Sequence, residues 1–407
     1  MRLLRYGSRQ RRQNPAVGNA AQRTGTSSTM RPATKVLSKL ALVAAACGSS
    51  APETGSSEAP TTIASQPPAT ASSAITSEAS PSPTYALGEF PDFPEGALSG
   101  SVAEALQATL DAEIEAGTFT GVTAAVIVAD RGSWTGAAGS ANGVPLAPDS
   151  PTPTHSVGKT VVAAQILRLA EDGRLEIDDR ASEHLPPELG WYDANGATIR
   201  QVLGMRSGIP NVPGSDALYY PAEKAPSAVK LFRMLPEPTA PPGSGPEYAD
   251  TNFVLLGTIV EHVTGRPLAK ALRSDVLDDP ALDGLVYTVG DALAADGWGV
   301  ESTPASLARW GYELYGGLVV SDASLRQMTD FQGEWYGLGT MNFSYSSLGV
   351  GHTGISSPTT CCSEIILAAP PEEGVIISVQ ANFPSLASDP FTDVTRLTQL
   401  LRDAAKA

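Results

Sequence analysis

The 407-residue chain holds only three cysteines, four histidines and six methionines, and Phe, Trp and Tyr together make up 6% of it. Three cysteines cannot staple a small scaffold with disulfides. The histidines are scattered and none stands near a cysteine pair, so no recurrent metal-ligand spacing is present and no metal or organic cofactor is implied. Cations are also scarce, at 27 Lys and Arg against 43 Asp and Glu. Nine of those cations lie in the first 46 residues, which contain no acid, so the chain from Cys47 onward carries 18 cations against 43 acids. Such a surface repels nucleic acid, and no Lys/Arg cluster is placed to grip phosphate. Strong acidity speaks to solubility and leaves the fold open.

The sparse cations and apolar runs are informative where they meet. Arg31, Lys35 and Lys39 precede the apolar run 40–46, which ends in Ala44-Ala45-Ala46-Cys47-Gly48. A basic region, an apolar region and small residues before a cleavage point read as a secretory signal over residues 1–46. The run is too short to span a bilayer. Met30 starts a signal of ordinary length, and Arg11-Arg12 is a twin-arginine candidate. Ala-Ala-Ala-Cys resembles a bacterial lipoprotein box, with Ala44 where Leu is usual. The resemblance implies lipidation of Cys47 and an extracytoplasmic, membrane-anchored protein; ordinary cleavage near Ala46, giving a secreted one, is the other reading. Residues 47–84 are mainly Ser, Thr, Ala and Pro, cannot bury enough apolar surface to offset ordering, and read as a disordered tether spanning about 35 Å.

Residues 85–407 are long enough for a large core. Helical periodicity marks 101–116, 161–170, 198–205, 252–263, 303–314 and 390–405, the last with Asp389 as N-cap and Pro390 at the first position. Apolar runs 122–129 and 134–141 read as a hairpin of central strands around Asp130-Arg131-Gly132-Ser133. Residues 364–367 and 374–381 read as further strands, and 336–339 and 348–351 as strand ends. Strands at both ends with helices between predict an α+β domain: an antiparallel sheet completed by N- and C-terminal strands, with helices packed on it and a helical block. Cys361 and Cys362, adjacent on a strand, face opposite sides; two small apolar residues or a vicinal disulfide both fit.

Three short stretches carry chemistry. In Thr154-His155-Ser156-Val157-Gly158-Lys159, a hydroxyl stands at the mouth of a helix with an amine one turn along, which suits a nucleophile beside a cation and equally an ordinary N-cap. Ser227-Ala228-Val229-Lys230 repeats the spacing, so the pattern alone is weak. Tyr248-Ala249-Asp250 precedes an apolar helix, and Gly351-His352-Thr353-Gly354 lies on a strand edge whose glycines permit close approach. Taken singly, Lys159 reads as a surface cation, Tyr248 as a half-buried aromatic, Asp250 as an N-cap and His352 as an edge-strand histidine.

Together and in this order, these stretches resemble the serine β-lactamase and penicillin-binding protein superfamily, in particular class C β-lactamases, D-alanyl-D-alanine carboxypeptidases and related esterases. Residues 175–179, 198–203, 207–210, 255–257 and 336–339 match as well, so the resemblance covers about 116–382. It implies Ser156 as acyl-accepting nucleophile, Lys159 as holder of its proton network, and Tyr248 as the base that relays the proton to the leaving group. It also implies an oxyanion hole from the N–H groups of Ser156 and Ile355. His352 and Thr353 are expected against a substrate carboxylate, with Gly354 leaving it room. The implied partners are small-molecule or peptide substrates: D-Ala-D-Ala peptide, β-lactam or ester. Two positions depart from the family pattern. Asp250 replaces the usual Asn and, ionised, cannot donate to a substrate carbonyl; His352 stands where many β-lactamases have Lys, which favours peptidase or esterase chemistry. The Asp250 departure also admits a second reading, a module that binds penicillin or cell-wall peptide without hydrolysis.

Overall fold

The computed structural model describes residues 86–211, 227–297, 299–355, 363–384 and 389–407, all within the second of two compact units, Ser77–Ala407. Strand β1 (Gly121–Val128) is buried along its whole length, because its sequence is apolar on both faces. It pairs antiparallel with β2 (Gly132–Ala141) on one side and with the C-terminal β10 (Val375–Asn382) on the other. With β3 (Val144–Pro145), β7 (Met341–Asn342), β8 (Val350–Ile355) and β9 (Ser363–Ala369), they form a seven-stranded antiparallel sheet ordered β3-β2-β1-β10-β9-β8-β7. The predicted closure of the sheet by strands from both ends of the domain is what the structure shows.

Alternation along the strands divides the core in two. Val122, Ala124 and Val126, with Ile366, Ile377 and Val379, meet α1 (Gly100–Glu115) and α9 (Pro390–Lys406). Ala125, Ile127, Ile365 and Leu367 meet the larger cluster on the opposite face. That cluster is built from α2 (Lys159–Glu171), α3 (Ile199–Leu203), α4 (Ala228–Phe232), α5 (Thr251–Thr264), α6 (Leu268–Asp275), α7 (Pro304–Tyr315) and α8 (Asp322–Met328). A separate three-stranded sheet joins β4 (Thr152–Pro153), β6 (Val300–Ser302) and β5 (Leu285–Tyr287). It fixes the chain just before Ser156: Thr154 N–H donates to the Val300 carbonyl at 2.8 Å. Trp310 of α7 donates its indole N–H to Thr160 Oγ1 at 2.8 Å, tying the start of α2 to the buried helix beneath the sheet.

Several sequence expectations change. β2 is next to last in the sheet and only half-buried, since β3 beyond it is two residues long. Residues 336–339 are not a strand. They form an irregular turn with one bridge, Tyr336 to Met341, and the Leu338 and Gly339 N–H groups donate to Met328 and Leu203 carbonyls. A side chain at Gly339 would lie 2.3 Å from the Ala163 Cβ, so the turn packs directly on α2. Helices α6 and α8 and the β4-β6-β5 sheet were not foreseen. The signal, Cys47, the tether, Cys361, Cys362 and the loop 212–224 lie outside the described residues. Among the described residues no helix is long and apolar enough to cross a membrane.

Candidate active site

Ser156 sits in a 3-10 turn, His155–Gly158, immediately before α2. The helix N-cap is Gly158 and makes no side-chain cap, so Ser156 is free of capping duty. Its Oγ accepts a hydrogen bond from Lys159 Nζ at 2.9 Å. Lys159 is fully buried, and its amine also donates to Asp250 Oδ1 at 2.7 Å and to the Asp296 carbonyl at 2.6 Å. An ammonium has three protons and all three are used here on acceptors. Burial disfavours the charge, but the Asp250 carboxylate and Asp296 outweigh it and hold the Lys159 pKa above its ordinary value. Lys159 is therefore a buried, paired cation and not a surface one. Asp250 does occupy the N-cap position of α5, yet it makes no cap bond because its carboxylate is spent on Lys159.

The Tyr248 ring lies 5.1 Å from Lys159 Nζ. It is held edge-on by Tyr336 at 5.9 Å and stacked by Trp335 at 6.3 Å. Asn252 secures the backbone between Tyr248 and Asp250. Buried, it donates to the Ala249 carbonyl at 3.1 Å and accepts from Ser207 Oγ at 2.5 Å. Ser156, Lys159, Tyr248 and Asp250, from distant parts of the chain, thus meet in one place. At Ser227-x-x-Lys230 the same spacing is an ordinary cap: the Ser227 hydroxyl accepts from the Lys230 N–H at 3.3 Å.

The third stretch departs from expectation. His352 is fully buried. Its Nδ1 lies 2.6 Å from the Thr353 carbonyl, which can only accept, so Nδ1 carries the proton and Nε2 accepts from the Tyr336 hydroxyl at 3.1 Å. Burial and the nearby Lys159 push the His352 pKa down to about 3. A neutral ring with both nitrogens engaged inside the protein offers no charge to a substrate carboxylate, and that expected role is corrected: His352 positions Tyr336, which braces Tyr248. The Thr353 hydroxyl is likewise turned away, lying 2.7 Å from Glu364 Oε1 and 3.0 Å from the Ile365 carbonyl. Gly354 makes room for the nucleophile turn instead of a ligand. A side chain there would stand 2.7 Å from the Thr154 carbonyl and 2.8 Å from the Ser156 nitrogen. Ile355 follows, 51% exposed. β7 pairs with β8 only through Gly351 and Val350, so residues 352–355 have no strand partner opposite β9 among the described residues.

Two contributors escaped the sequence reading. The Asp296 carbonyl completes the Lys159 shell, and Gly297 (φ 102°) lets that turn press on the nucleophile: a side chain there would fall 1.7 Å from the His155 carbonyl oxygen. The only hint in the sequence is the glycine pair in Asp296-Gly297-Trp298-Gly299.

Glu364, behind β8, is buried with Oε2 unpartnered. Burial pushes its pKa up to about 7, against the Thr353 hydrogen bond and with the added repulsion of Asp389. The Thr353 hydroxyl has one proton for two acceptors, so a protonated Glu364 completes the set. A folded pKa above the unfolded 4.5 gives a contribution that is full below about pH 4.5 and is lost as pH rises to about 7. Glu364→Gln should therefore gain about 2 to 3 kcal/mol of stability at pH 8 relative to its effect at pH 5. Urea denaturation of both proteins at the two pH values measures this; an effect independent of pH would contradict it.

Comparison with known proteins bears on the fold and the family. The D-amino acid amidase of Ochrobactrum anthropi SV3 superimposes with a TM-score of 0.63 at 20% identity, over 75% of this chain and 99% of that one. The octameric penicillin-binding protein homologue of Pyrococcus abyssi gives 0.57 at 19% identity, over 74% and 77%. These likenesses establish the fold, that of the β-lactamase and penicillin-binding protein serine hydrolases. The family model described as Beta-lactamase matches residues 106–399, well over half of the chain, and the protein belongs to that family. Among curated relatives, Protein flp of Staphylococcus aureus (strain N315) is 31% identical over 134 residues, 31% of this chain and 27% of that protein. The D-alanyl-D-alanine-carboxypeptidase/endopeptidase AmpH of Escherichia coli (strain K12) is 22% identical over 185 residues, 40% and 48% respectively. The chain thus spans between about a quarter and a half of the length of these relatives.

Proposed function

We propose that the protein is an acyl-hydrolase that works through an acyl-enzyme on Ser156, outside the cytoplasm, on substrates of the D-Ala-D-Ala peptide, amide, β-lactam or ester class. The observation that carries this reading is the Lys159 amine, buried and shared between the Ser156 hydroxyl, Asp250 and the Asp296 carbonyl. Apolar residues often replace a buried ion pair without loss of stability, so an amine kept against a serine hydroxyl supports a chemical role.

In this mechanism Tyr248 removes the Ser156 proton as Oγ attacks the substrate carbonyl. Tyr248 acts as its phenolate, which the Lys159 cation stabilises because a neutral phenol is too weak a base, and it becomes a phenol on taking the proton. The N–H groups of Ser156 and Ile355 receive the oxyanion, each worth about 3 kcal/mol in comparable sites. The bond to the leaving group then breaks, Tyr248 returns the proton to it, and an ester remains on Ser156. Water attacks that ester with Tyr248 again as base, releasing the acid and restoring the hydroxyl.

Chromogenic esters and a cephalosporin test the reading. Turnover is expected on at least one of them, with Tyr248→Phe slower by about 10²- to 10⁴-fold, the range for loss of a general base. Stoichiometric binding with no turnover on either would favour the non-hydrolytic module instead. For location, we place the anchor on Cys47 and the tether on the residues after it, from the sequence pattern described above. A fatty-acid analogue should label the wild type in cells and spare Cys47→Ser; an unlabelled wild type would leave ordinary secretion.

A further inference from the structure

We infer that Trp335 is the wall against which the leaving group lies, and that the preferred leaving group is an uncharged, flat apolar alcohol or amine and not an amino acid with a free carboxylate. The inference rests on the acyl-transfer reading of Ser156 for its orientation: Tyr248 returns the proton to the leaving group, so whatever covers the outer side of Tyr248 borders the leaving group's path. Trp335 covers it. The two rings stack with centroids 6.3 Å apart and planes 28° from parallel, and Tyr336 holds the indole from a second side at 5.2 Å. The Trp335 carbonyl also accepts from the Asn342 N–H at 2.9 Å, which fixes the backbone. Braced in this way, Trp335 is still 42% exposed. A rigid indole presented to solvent beside a reacting site provides apolar area at little entropic cost. Ile355, half-exposed, follows Gly354, which packs on the Ser156 turn, and adds apolar surface at the site.

The groups that could read a carboxylate are otherwise committed. His352 is neutral and buried, and the Thr353 hydroxyl faces Glu364. Lys159 already directs its three N–H donors at Ser156, Asp250 and the Asp296 carbonyl, so none is left for a leaving-group carboxylate. Arg206 lies 3.9 Å from Glu334 and donates to the Ser244 carbonyl. Glu334, adjacent to Trp335 and 42% exposed on its side chain, is the carboxylate that occupies Arg206. Among these described residues the cations are already paired, which leaves no uncommitted partner for an anionic leaving group, and the stacking surface suits a neutral aromatic one.

Three acetate esters, each rate divided by that of its alkaline hydrolysis, separate these features: 2-phenylethyl acetate, propyl acetate, and O-acetyl-3-phenyllactate, which adds a carboxylate to the aromatic alcohol. In the wild-type full chain, kcat/KM should favour 2-phenylethyl over propyl acetate by about tenfold and over the phenyllactate ester by about tenfold. Trp335→Ala should shrink the first ratio to within about threefold, and Trp335→Phe should restore most of it. Equal or better use of the phenyllactate ester, or a phenylethyl-to-propyl ratio unmoved by Trp335→Ala, would overturn the inference. Calorimetric binding of the same intact esters to Ser156→Ala reads the same ratios without chemistry. Should that arm show the preference while the wild type turns over none of the esters, the acyl-transfer reading falls, and Trp335 stands only as a surface that binds neutral aromatic groups. Should it show tighter binding of the carboxylate ester, the wall falls whatever the turnover.

Discussion

Lys159→Met is expected to lower kcat/KM by about 10³-fold while leaving the fold intact. The estimate follows from loss of a preorganised charge in a buried site, where one electrostatic contact is worth about 3 to 4 kcal/mol in the transition state. Methionine keeps the length and apolar stem of lysine, so packing against Phe253 and Tyr248 is retained, and only the amine disappears. The variant leaves Asp250 and the Asp296 carbonyl without their donor. Asp250 is 26% exposed on its side chain and can rehydrate, so the stability cost should be about 1 to 3 kcal/mol, below that of breaking a fully buried pair. Lys159→Met/Asp250→Asn separates the two effects. It should recover stability, because no unpaired carboxylate remains, and recover no activity. Recovery of both would mean that the amine serves only to neutralise Asp250.

Ser156→Ala is expected to have the larger effect, a loss of at least about 10⁴-fold in turnover, because the hydroxyl that accepts the acyl chain is gone. The Ser156 side chain contributes one hydrogen bond to the amine, so stability should change by no more than about 1 kcal/mol. The amine keeps Asp250 and the Asp296 carbonyl as partners in this variant. Thermal unfolding beside the ester assay gives both numbers, and substantial residual turnover would move the reaction to another residue.

How far the sequence led is clearest residue by residue. Ser156 and Lys159 were legible because one helical turn necessarily brings them together. Tyr248 and Asp250 were legible through family resemblance, and the apolar helix after them marked the place. The Asp296 carbonyl was invisible for a general reason: any residue can supply a backbone acceptor, so composition carries no trace of it. His352 was found but misassigned. Its partner Tyr336 reads as a strand end in the sequence, whereas the packing of Gly339 on α2 bends that segment into a turn and carries the Tyr336 hydroxyl to the imidazole. Gly354 was read as room for a ligand because strand pairing alone does not show what lies above a strand, and here it is the nucleophile's own turn. At the level of fold, the long buried strands and long helices were read correctly. β4 and β7 have two residues each, too few for any alternation to register.

The buried aromatic and charged groups also tell against a purely structural account of this region. Tyr336 and His352 are fully buried and exchange a hydrogen bond that an apolar pair could replace with less desolvation. Burial, with Tyr248 beside it, holds the Tyr336 pKa well above its ordinary value, so Tyr336 remains a neutral donor to His352. The result is a stiff partition behind Tyr248. It leaves that ring half-buried, with Lys159 near its face and Trp335 stacked on it.

The central claim is that acyl groups are carried by the hydroxyl at position 156. Treating the full chain with a fluorophosphonate and a fluorescent penicillin, then locating the adduct by peptide mass mapping, tests it most directly. The account predicts one modified residue, Ser156, with no adduct in Ser156→Ala. An adduct on Ser227, or labelling that persists in Ser156→Ala, would contradict it.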